Sequence, residues 1–256
     1  MAHKYKPTKN DLFIVSYPKC GTTWTQQIVH LLLNRGVPPA KTLLFSKSIP
    51  FLEVCAPTQD DTDTHVRAFK THLPVQLAPF DDQSPAKYIY CIRNPKDCLI
   101  SFWFHEKDFP LLLCDNFQQF FTAFMSGKTG YGDYFDHLIG WYRQRHRTAN
   151  VLIVHYEDLK TDIEKQIRRI AKFISNDLLE QITDDKDFLD NVIKYSSFEF
   201  MKTSTNGQMK KFFDQSVDDM ESDGEIVDGF KDAFRDIKSN DNLISFGDHR
   251  WPNPYP

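Results

Sequence analysis

The stretch SYPKCGTTW, residues 16–24, brings Lys19, Gly21, Thr22 and Thr23 together. The apolar run LFIV precedes it and a helical pattern follows, so the sequence predicts a strand, a tight turn and a helix. N–H groups at a helix start attract anions, glycine lets backbone approach them, and lysine and threonine add charge and hydroxyl donors. The stretch is typical of a phosphate-binding loop, and an ordinary capped strand–helix turn is the alternative.

Two other chemistries use a loop of this kind. The common nucleotide-binding loop has the pattern G-x-x-x-x-G-K-[ST], whereas here the lysine precedes the glycine and the first glycine is missing, which disfavours an NTPase. A cysteine phosphatase would use Cys20, because a thiolate is favoured at a helix N-terminus. That chemistry needs a phosphate-binding arginine further along the loop, and the matching position holds Gln26. Both alternatives therefore fit poorly.

A general base and a second lysine follow the next predicted strand, in the stretch KTHLP of residues 70–74. His72 is the natural base, because imidazole titrates near neutral pH and proton removal by such a group is typically worth ~10²–10⁴-fold in rate. Lys70 lies on the same extended face and can stabilise a transferring group, while Lys19 can stabilise a leaving phosphate. Together these residues suit in-line group transfer.

A further cationic stretch, RNPKD, occupies residues 93–97 after the third predicted strand. Arg93 suits bidentate binding of a phosphate, with a surface ion pair as the alternative. Ser101 follows in a predicted helix, where its hydroxyl either binds a ligand or bonds back to the helix carbonyls. The sequence thus predicts a second anion contact beside the first loop.

Short apolar strands separated by helices must position these residues. We expect strands at 11–16, 65–69, 87–92 and 151–155, and helices at 22–34, 96–107, 116–126, 132–147 and 162–175. This alternation predicts an α/β fold with a central parallel sheet and helices on both faces. No repeat or linker divides the chain, so we expect one domain over residues 1–256. Residues 214–228 carry seven acidic groups and no base, which predicts a mobile loop.

Composition argues against several classes of partner. The net charge is −4 and no long basic stripe is present, so nucleic acid is not expected. No apolar run approaches the ~20 residues of a membrane span, and the first residues lack the pattern of a signal peptide. Five cysteines without a C-x-x-C pair predict reduced thiols, and the nine scattered histidines predict no metal site. We therefore expect a cytoplasmic protein.

Together, YPKCGTTW, KTHLP and RNPKD resemble the cytosolic sulfotransferase family, which typically shows YPKSGTTW, KTHLP and RNPKDxxxSxxxF segments. The similarity covers roughly residues 11–202, including YGDYFDHLIGWY, VLIVHYEDLK and SSFEFMK. It implies transfer of a sulfuryl group from 3′-phosphoadenosine 5′-phosphosulfate (PAPS) to a small acceptor, which leaves 3′-phosphoadenosine 5′-phosphate (PAP). The acceptor would be a phenol, amine, steroid or alcohol, and no metal is implied.

The resemblance also implies site residues. The positions matching the family's cofactor contacts are Lys19, Cys20, Gly21, Thr22, Thr23, Trp24, Arg93, Ser101, Tyr156, Ser196, Phe198 and Met201. Among them, Trp24 would stack on the adenine, and Arg93 and Ser101 would bind the 3′-phosphate. His72 would be the base, with Lys19 and Lys70 as its catalytic partners. We expect the acceptor to contact Phe51, His72, Phe104 and His105.

One departure from the family lies near the C-terminus. The family's RKGxxGDWKxxF segment clamps the 3′-phosphate, whereas the nearest match here, DGEIVDGFKDAF at 223–234, has lost the basic pair and carries acids that repel phosphate. This predicts weaker cofactor binding or substitution by Lys210 and Lys211. It also motivates a second hypothesis, a degenerate member that binds the nucleotide or small aromatics with little turnover. A kinase is a third, weaker hypothesis, and the oligomeric state is open because the family's dimer motif is not found.

Overall fold

The architecture is given by a computed structural model that describes residues 5–39, 48–53, 65–108 and 114–202. Its strands are β1 (Asp11–Ser16), β2 (Arg67–Thr71), β3 (Lys87–Ile92) and β4 (Val151–His155). Its helices are α1 (Thr22–Leu33), α2 (Pro95–Asp108), α3 (Phe117–Met125), α4 (Tyr134–Gln144), α5 (Tyr156–Thr161), α6 (Ile163–Ile174), α7 (Asn176–Asp184) and α8 (Lys186–Ser196). The acidic segment at 214–228 and the segment at 223–234 lie outside the described residues.

The four strands form one parallel sheet in the order β2-β1-β3-β4. Parallel strands end at the same edge of a sheet, so the segments that follow β1, β2 and β3 meet there. Those segments carry the three motifs that the sequence singled out. The predicted α/β class with a central parallel sheet is confirmed.

Alternate residues of β1 pack into different hydrophobic cores, as a strand buried on both faces requires. Leu12 and Ile14 belong to the core that includes α1, α6, α7 and α8, whereas Phe13 and Val15 belong to the core that includes Trp141 of α4. Helices therefore cover both faces of the sheet. This burial fixes the strand ends, and with them the loops that carry polar side chains.

The second strand lies two residues later than predicted, at Arg67–Thr71 and not at 65–69. Its register is set by an ion pair across the sheet, because Arg67 donates to the buried Asp11 carboxylate at 2.7 Å and the two residues are register partners. A tertiary contact thus overrides the local apolar pattern. As a result, Lys70 is part of the strand and His72 follows it directly.

Three helices of the described chain, α5, α7 and α8, were not predicted. Helix α7 begins where the Ser175 hydroxyl accepts from the Leu178 N–H, and α8 begins where the Asp185 carboxylate accepts from the Phe188 N–H. These caps satisfy N–H groups that lack partners inside the helix. The last of the three, α8, packs against α1 and brings the residues near 196–201 to the first turn of α1. Within the described ranges, no helix is both long and apolar enough to cross a membrane.

Candidate active site

The turn between β1 and α1 has positive φ angles, which residues other than glycine rarely adopt. Lys19 has a φ of 67° and Gly21 a φ of 97°. A Cβ atom on Gly21 would lie 2.9 Å from Cδ2 of Tyr156. Glycine is therefore required here for two reasons, the positive φ and the clash that any side chain would make with that ring. Helix α1 begins at once, since the Thr25 N–H donates to the Gly21 carbonyl at 3.0 Å.

The first turn of α1 offers hydrogen-bond donors to an anion. The helix itself provides no partner for the N–H groups of Thr22, Thr23 and Trp24, and no acidic side chain stands in this turn to bind them. The Thr22 hydroxyl contacts the Ser16 hydroxyl at the end of β1, and Thr23 is half-buried. The turn therefore has the donors and the helix dipole of an anion site.

Arg93 lies beside this turn with an unused donor. Its Nη1 donates to the Lys19 carbonyl at 3.0 Å, and its guanidinium lies 4.2 Å from the centre of the Tyr156 ring. Its Nε is buried and has no hydrogen-bond partner among the described residues. Since a buried N–H without a partner is costly, this atom indicates a place for an anionic ligand. Ser101 is half-buried in the second turn of α2.

The residues expected at the adenine form one aromatic group. Trp24 lies edge-to-face with Tyr156 at 5.5 Å and tilted against the half-exposed Phe198 at 6.0 Å, and Met201 is half-buried against the same core. The indole N–H of Trp24 donates to the Ser196 carbonyl at 2.6 Å. Ser196 itself is fully buried and its hydroxyl donates to the Val192 carbonyl at 2.6 Å, so that hydroxyl is not presented at a surface.

The ring of His72 is held in one tautomer. Its Nδ1 lies 2.8 Å from the carbonyl oxygen of Ser16, which can only accept, so Nδ1 carries the hydrogen. In the neutral ring Nε2 is then unprotonated and is the atom that can take a proton. This is the arrangement that a general base requires.

The backbone of His72 is also held from two sides. Its N–H donates to Oε1 of Glu53 at 2.6 Å, and its carbonyl accepts from Nε2 of His137 at 3.1 Å. His137 is itself fixed by the Tyr90 hydroxyl, which lies 2.9 Å from its Nδ1. Three elements, the segment before residue 54, β3 and α4, therefore position His72.

The electrostatics keep His72 neutral and Lys70 charged at neutral pH. Burial, followed by the charge of Lys70, holds the pKa of His72 well below its usual range. Burial lowers the pKa of Lys70 to about 8. The negative charge of Glu53 offsets part of this lowering, and the positive charge of Lys19 adds to it. At pH 7 the site therefore combines a neutral imidazole with a lysine cation.

Aromatic rings surround the His72 imidazole on the side expected to bind the acceptor. Phe51 lies edge-to-face at 5.5 Å and Tyr131 at 5.4 Å, and the Lys70 ammonium lies 4.5 Å from the Phe51 ring centre. Burial, followed by the charges of Lys19 and Lys70, lowers the pKa of His105 to about 3. Phe104, in contrast, is 60% exposed, and no ring contact in the described part of the chain joins it to His72.

Comparison with known proteins shows which family this chain belongs to. Residues 9–232 match the family model described as Sulfotransferase domain. The chain belongs to the sulfotransferase family. Sulfotransferase 1C2 of Rattus norvegicus is 31% identical, with 93% of this chain and 82% of that protein covered. The amine sulfotransferase of Oryctolagus cuniculus is 36% identical, with 75% and 63% covered.

Solved structures have the same fold. Mouse sulfotransferase SULT7A1 complexed with PAP superimposes with a TM-score of 0.61 at 26% identity, covering 78% of this chain and 68% of that one. Retinol dehydratase in complex with androsterone and PAP gives a TM-score of 0.63 at 22% identity, covering 92% and 78%, which shows the fold alone. The parallel sheet described above is thus the sheet of a sulfotransferase.

One predicted contact of this sulfotransferase faces the core and not the loop surface. Cys20 is 1% exposed, and its Sγ lies 3.6 Å from Sγ of Cys98. Burial raises the pKa of the Cys20 thiol well above its usual value, so the thiolate that a cysteine phosphatase needs is disfavoured. If Cys20 touches a cofactor, only its backbone is available.

Several residues that hold His72 could not be recognised from the sequence, namely Ser16, Glu53, Tyr131 and His137. His137 lies within the YGDYFDHLIGWY stretch that resembles the family, but nothing in its spacing links it to His72. Glu53 belongs to the segment SIPFLE, outside any predicted element. Over the described ranges, no group of three or more side chains is arranged to bind a metal ion.

Proposed function

We propose that this sulfotransferase moves the sulfuryl group of PAPS to a hydroxyl or amine of a small, aromatic acceptor and releases PAP. When bound, PAPS supplies a sulfuryl group already activated by its attachment to a phosphate. The observation that carries the proposal is the fixed tautomer of His72, whose unprotonated Nε2 stands beside a buried lysine. Such a pair suits removal of an acceptor proton next to developing negative charge.

The residues around the β1–α1 turn fit a phosphorylated nucleotide. The first turn of α1 presents backbone N–H groups, and the positive φ of Gly21 starts this helix close beside the Tyr156 ring. Arg93 has a buried Nε without a partner in the described chain, which suits a phosphate oxygen. Phe198 is 46% exposed and offers aromatic surface for a purine beside the buried Trp24 ring. We assign the nucleotide to this surface, with Ser101 as a further donor to its 3′-phosphate.

The roles in the transfer follow from charge and tautomer. Nε2 of His72 takes the proton of the acceptor, the Lys70 ammonium stabilises the oxygens of the transferring group, and Lys19 stabilises the leaving phosphate. The acceptor lies against Phe51, Tyr131 and the His72 ring, which form an apolar wall. No step requires a metal.

The acceptor class rests on the relatives. Their names include an amine sulfotransferase of Oryctolagus cuniculus and sulfotransferase 1E1 of Bos taurus, so a small molecule is the supported class. We keep phenols, amines, steroids and alcohols as candidates. A cytoplasmic location is proposed because Cys20, Cys91, Cys98 and Cys114 are free thiols. Nucleic acid and membrane are not proposed as partners, and the oligomeric state is left open.

A second candidate, nucleotide binding with little turnover, rests on the missing basic pair at 223–234. It predicts that PAP binds and that no sulfated product forms. Against it stands the ordered base, since His72 is held at its ring, its N–H and its carbonyl. Such complete fixation is expected where a base must work.

Calorimetric titration of PAP into the protein, in the presence of a chelator, tests the nucleotide site. We expect a dissociation constant near or below micromolar, with no change on adding the chelator. Absence of binding would overturn the PAPS-dependent proposal. Binding that needs a divalent metal ion would favour the kinase hypothesis instead.

A further inference from the structure

Glu53 is a buried acid that the transfer reaction itself does not use. The segment that carries it runs beside β2: the Lys70 N–H donates to the Pro50 carbonyl and the Leu52 N–H donates to the Lys70 carbonyl, both at 2.9 Å. Phe51 and Lys70 form a parallel bridge. This pairing fixes the segment against the strand that leads into His72.

Each oxygen of the Glu53 carboxylate has a distinct environment. Oε1 accepts the backbone N–H of His72 at 2.6 Å. Oε2 is shut off from solvent and makes no hydrogen bond of good geometry with the described residues, although the Thr71 hydroxyl lies close to the carboxylate. Lys70, itself only 5% exposed, pairs with Phe51 two residues before Glu53, and its charge acts on the Glu53 carboxylate. A buried carboxylate is costly unless a cation stands close to it, so these two groups stabilise each other's charge.

We propose that Glu53 is a positioning residue of the transfer reaction, whose carboxylate holds the His72 backbone and keeps the buried Lys70 charged. This inference rests on the proposed function of His72 and Lys70. The Glu53 carboxylate is not expected to touch the acceptor or the sulfuryl group, and it acts through His72 and Lys70. The segment SIPFLE thereby becomes part of the active site.

The charged and titratable groups facing Lys70 come from four parts of the structure. They are Glu53 from the segment before residue 54, Lys19 from the β1–α1 turn, His72 at the end of β2 and His105 from α2. Among the described residues that act on Lys70, Glu53 is the one acid. Burial raises the pKa of Glu53 to about 7, and the Lys70 charge and the His72 N–H act in the opposite direction. Above pH 7 the carboxylate is ionised and supports the Lys70 charge, and below pH 7 that support is lost.

The Glu53→Gln variant isolates the charge, because the amide oxygen can still accept the His72 N–H. Removing a neighbouring opposite charge shifts a pKa by ~1 unit or more, so we expect the midpoint of Lys70 titration to fall by that amount. NMR of protein labelled with [ε-¹³C]lysine measures this midpoint directly, and a Lys70→Arg sample assigns the resonance. Glu180→Gln, an exposed acid on α7, is the matched control and should leave the midpoint unchanged.

Kinetics give a second readout. The ratio of kcat/KM at pH 8 to that at pH 6.5 should fall about fivefold in Glu53→Gln, because a midpoint ~1 unit lower leaves far less Lys70 protonated at pH 8. At pH 6.5 the variant should approach the wild type. Glu53→Ala, which also removes the acceptor of the His72 N–H, should lose more activity than Glu53→Gln at both pH values.

An unchanged Lys70 midpoint in folded Glu53→Gln would overturn the proposal. If that variant fails to fold, the wild type provides the test, since its Lys70 resonance should show a second inflection near pH 7 as Glu53 ionises. Absence of that inflection would equally contradict it. The NMR midpoint does not depend on turnover, so an inactive protein would count against the proposed function alone.

Discussion

Nδ1 of His72 lies 2.8 Å from the carbonyl oxygen of Ser16. Ser16 is the last residue of β1 and directly precedes the phosphate-binding turn, whereas His72 follows β2, the neighbouring strand. The bond therefore links His72 to the strand that leads into the turn before α1. It fixes which ring nitrogen can take a proton, and the burial of the ring keeps it neutral.

Replacing His72 by Asn should abolish most turnover and leave nucleotide binding intact. The side-chain amide can still donate toward the Ser16 carbonyl, but it has no basic nitrogen, so kcat should fall by ~10²–10⁴-fold. PAP affinity, measured by calorimetry, should stay at the wild-type value. His146→Asn, at an exposed position in the turn after α4, is the control and should keep full activity. Comparable kcat values for the His72 variant and the wild type would exclude His72 as the base.

Replacing Arg93 by Ala should weaken PAP binding. A hydrogen bond to a charged group contributes ~1.5–3 kcal/mol, so the dissociation constant should rise about 10–100-fold. Calorimetric titration measures this change. The control is Arg147→Ala, which removes a surface ion pair with Asp82 and should not alter binding. Equal affinity in the wild type and the Arg93 variant would remove the guanidinium from the nucleotide site.

Gly21→Ala should destabilise the loop as well as impair binding. The residue has a φ of 97° and its new Cβ would approach Tyr156 Cδ2 at 2.9 Å. Left-handed backbone costs a non-glycine residue ~1–2 kcal/mol, which corresponds to a fall in Tm of about 2–8 °C for a chain of this size. Gly130→Ala is the matched control, because a Cβ there has nothing within 4 Å. A thermal melt with the same Tm for both variants would contradict the strained turn.

The pH–rate profile should not show the loss of activity at pH ~6.5 that protonation of an ordinary histidine would cause. His72 has a pKa well below its usual range, so it remains neutral and active below pH ~6.5, where a normal imidazole becomes protonated. On the alkaline side, Lys70 with a pKa of about 8 loses its charge as the pH rises, so kcat/KM should decline above pH 8. Lys70→Arg stays charged and should not show this alkaline decline. A fall in kcat/KM on the acid side with a midpoint at pH ~6.5 would argue against a buried His72 that stays neutral.

The sequence predicted the parts of the site that follow strands. The loop at residues 16–24, His72 and Arg93 each stand just beyond an apolar strand, and parallel strands bring such positions to one edge. What holds the base could not be predicted in the same way. Glu53 and His137 reach His72 through tertiary packing, from segments whose local pattern carries no sign of the contact.

Two further features depended on long-range contacts. The position of β2 follows from the ion pair of Arg67 with the buried Asp11, which no local apolar pattern reveals. The orientation of Cys20 toward Cys98 follows from packing of the turn against α2, although its place in the loop suggested a ligand contact. Side-chain direction in a turn with positive φ is set by the fold and not by neighbouring residue types.

Transfer of ³⁵S from labelled PAPS to a panel of phenols, amines, steroids and alcohols, in chelator, tests the central claim most directly. Wild-type protein should yield a labelled sulfated product with at least one acceptor class, and His72→Asn should yield almost none while still binding PAP. Labelled product at equal rates from both proteins would contradict the role of His72. If the wild type binds PAP and forms no product with any acceptor in the panel, nucleotide binding without turnover is the better account.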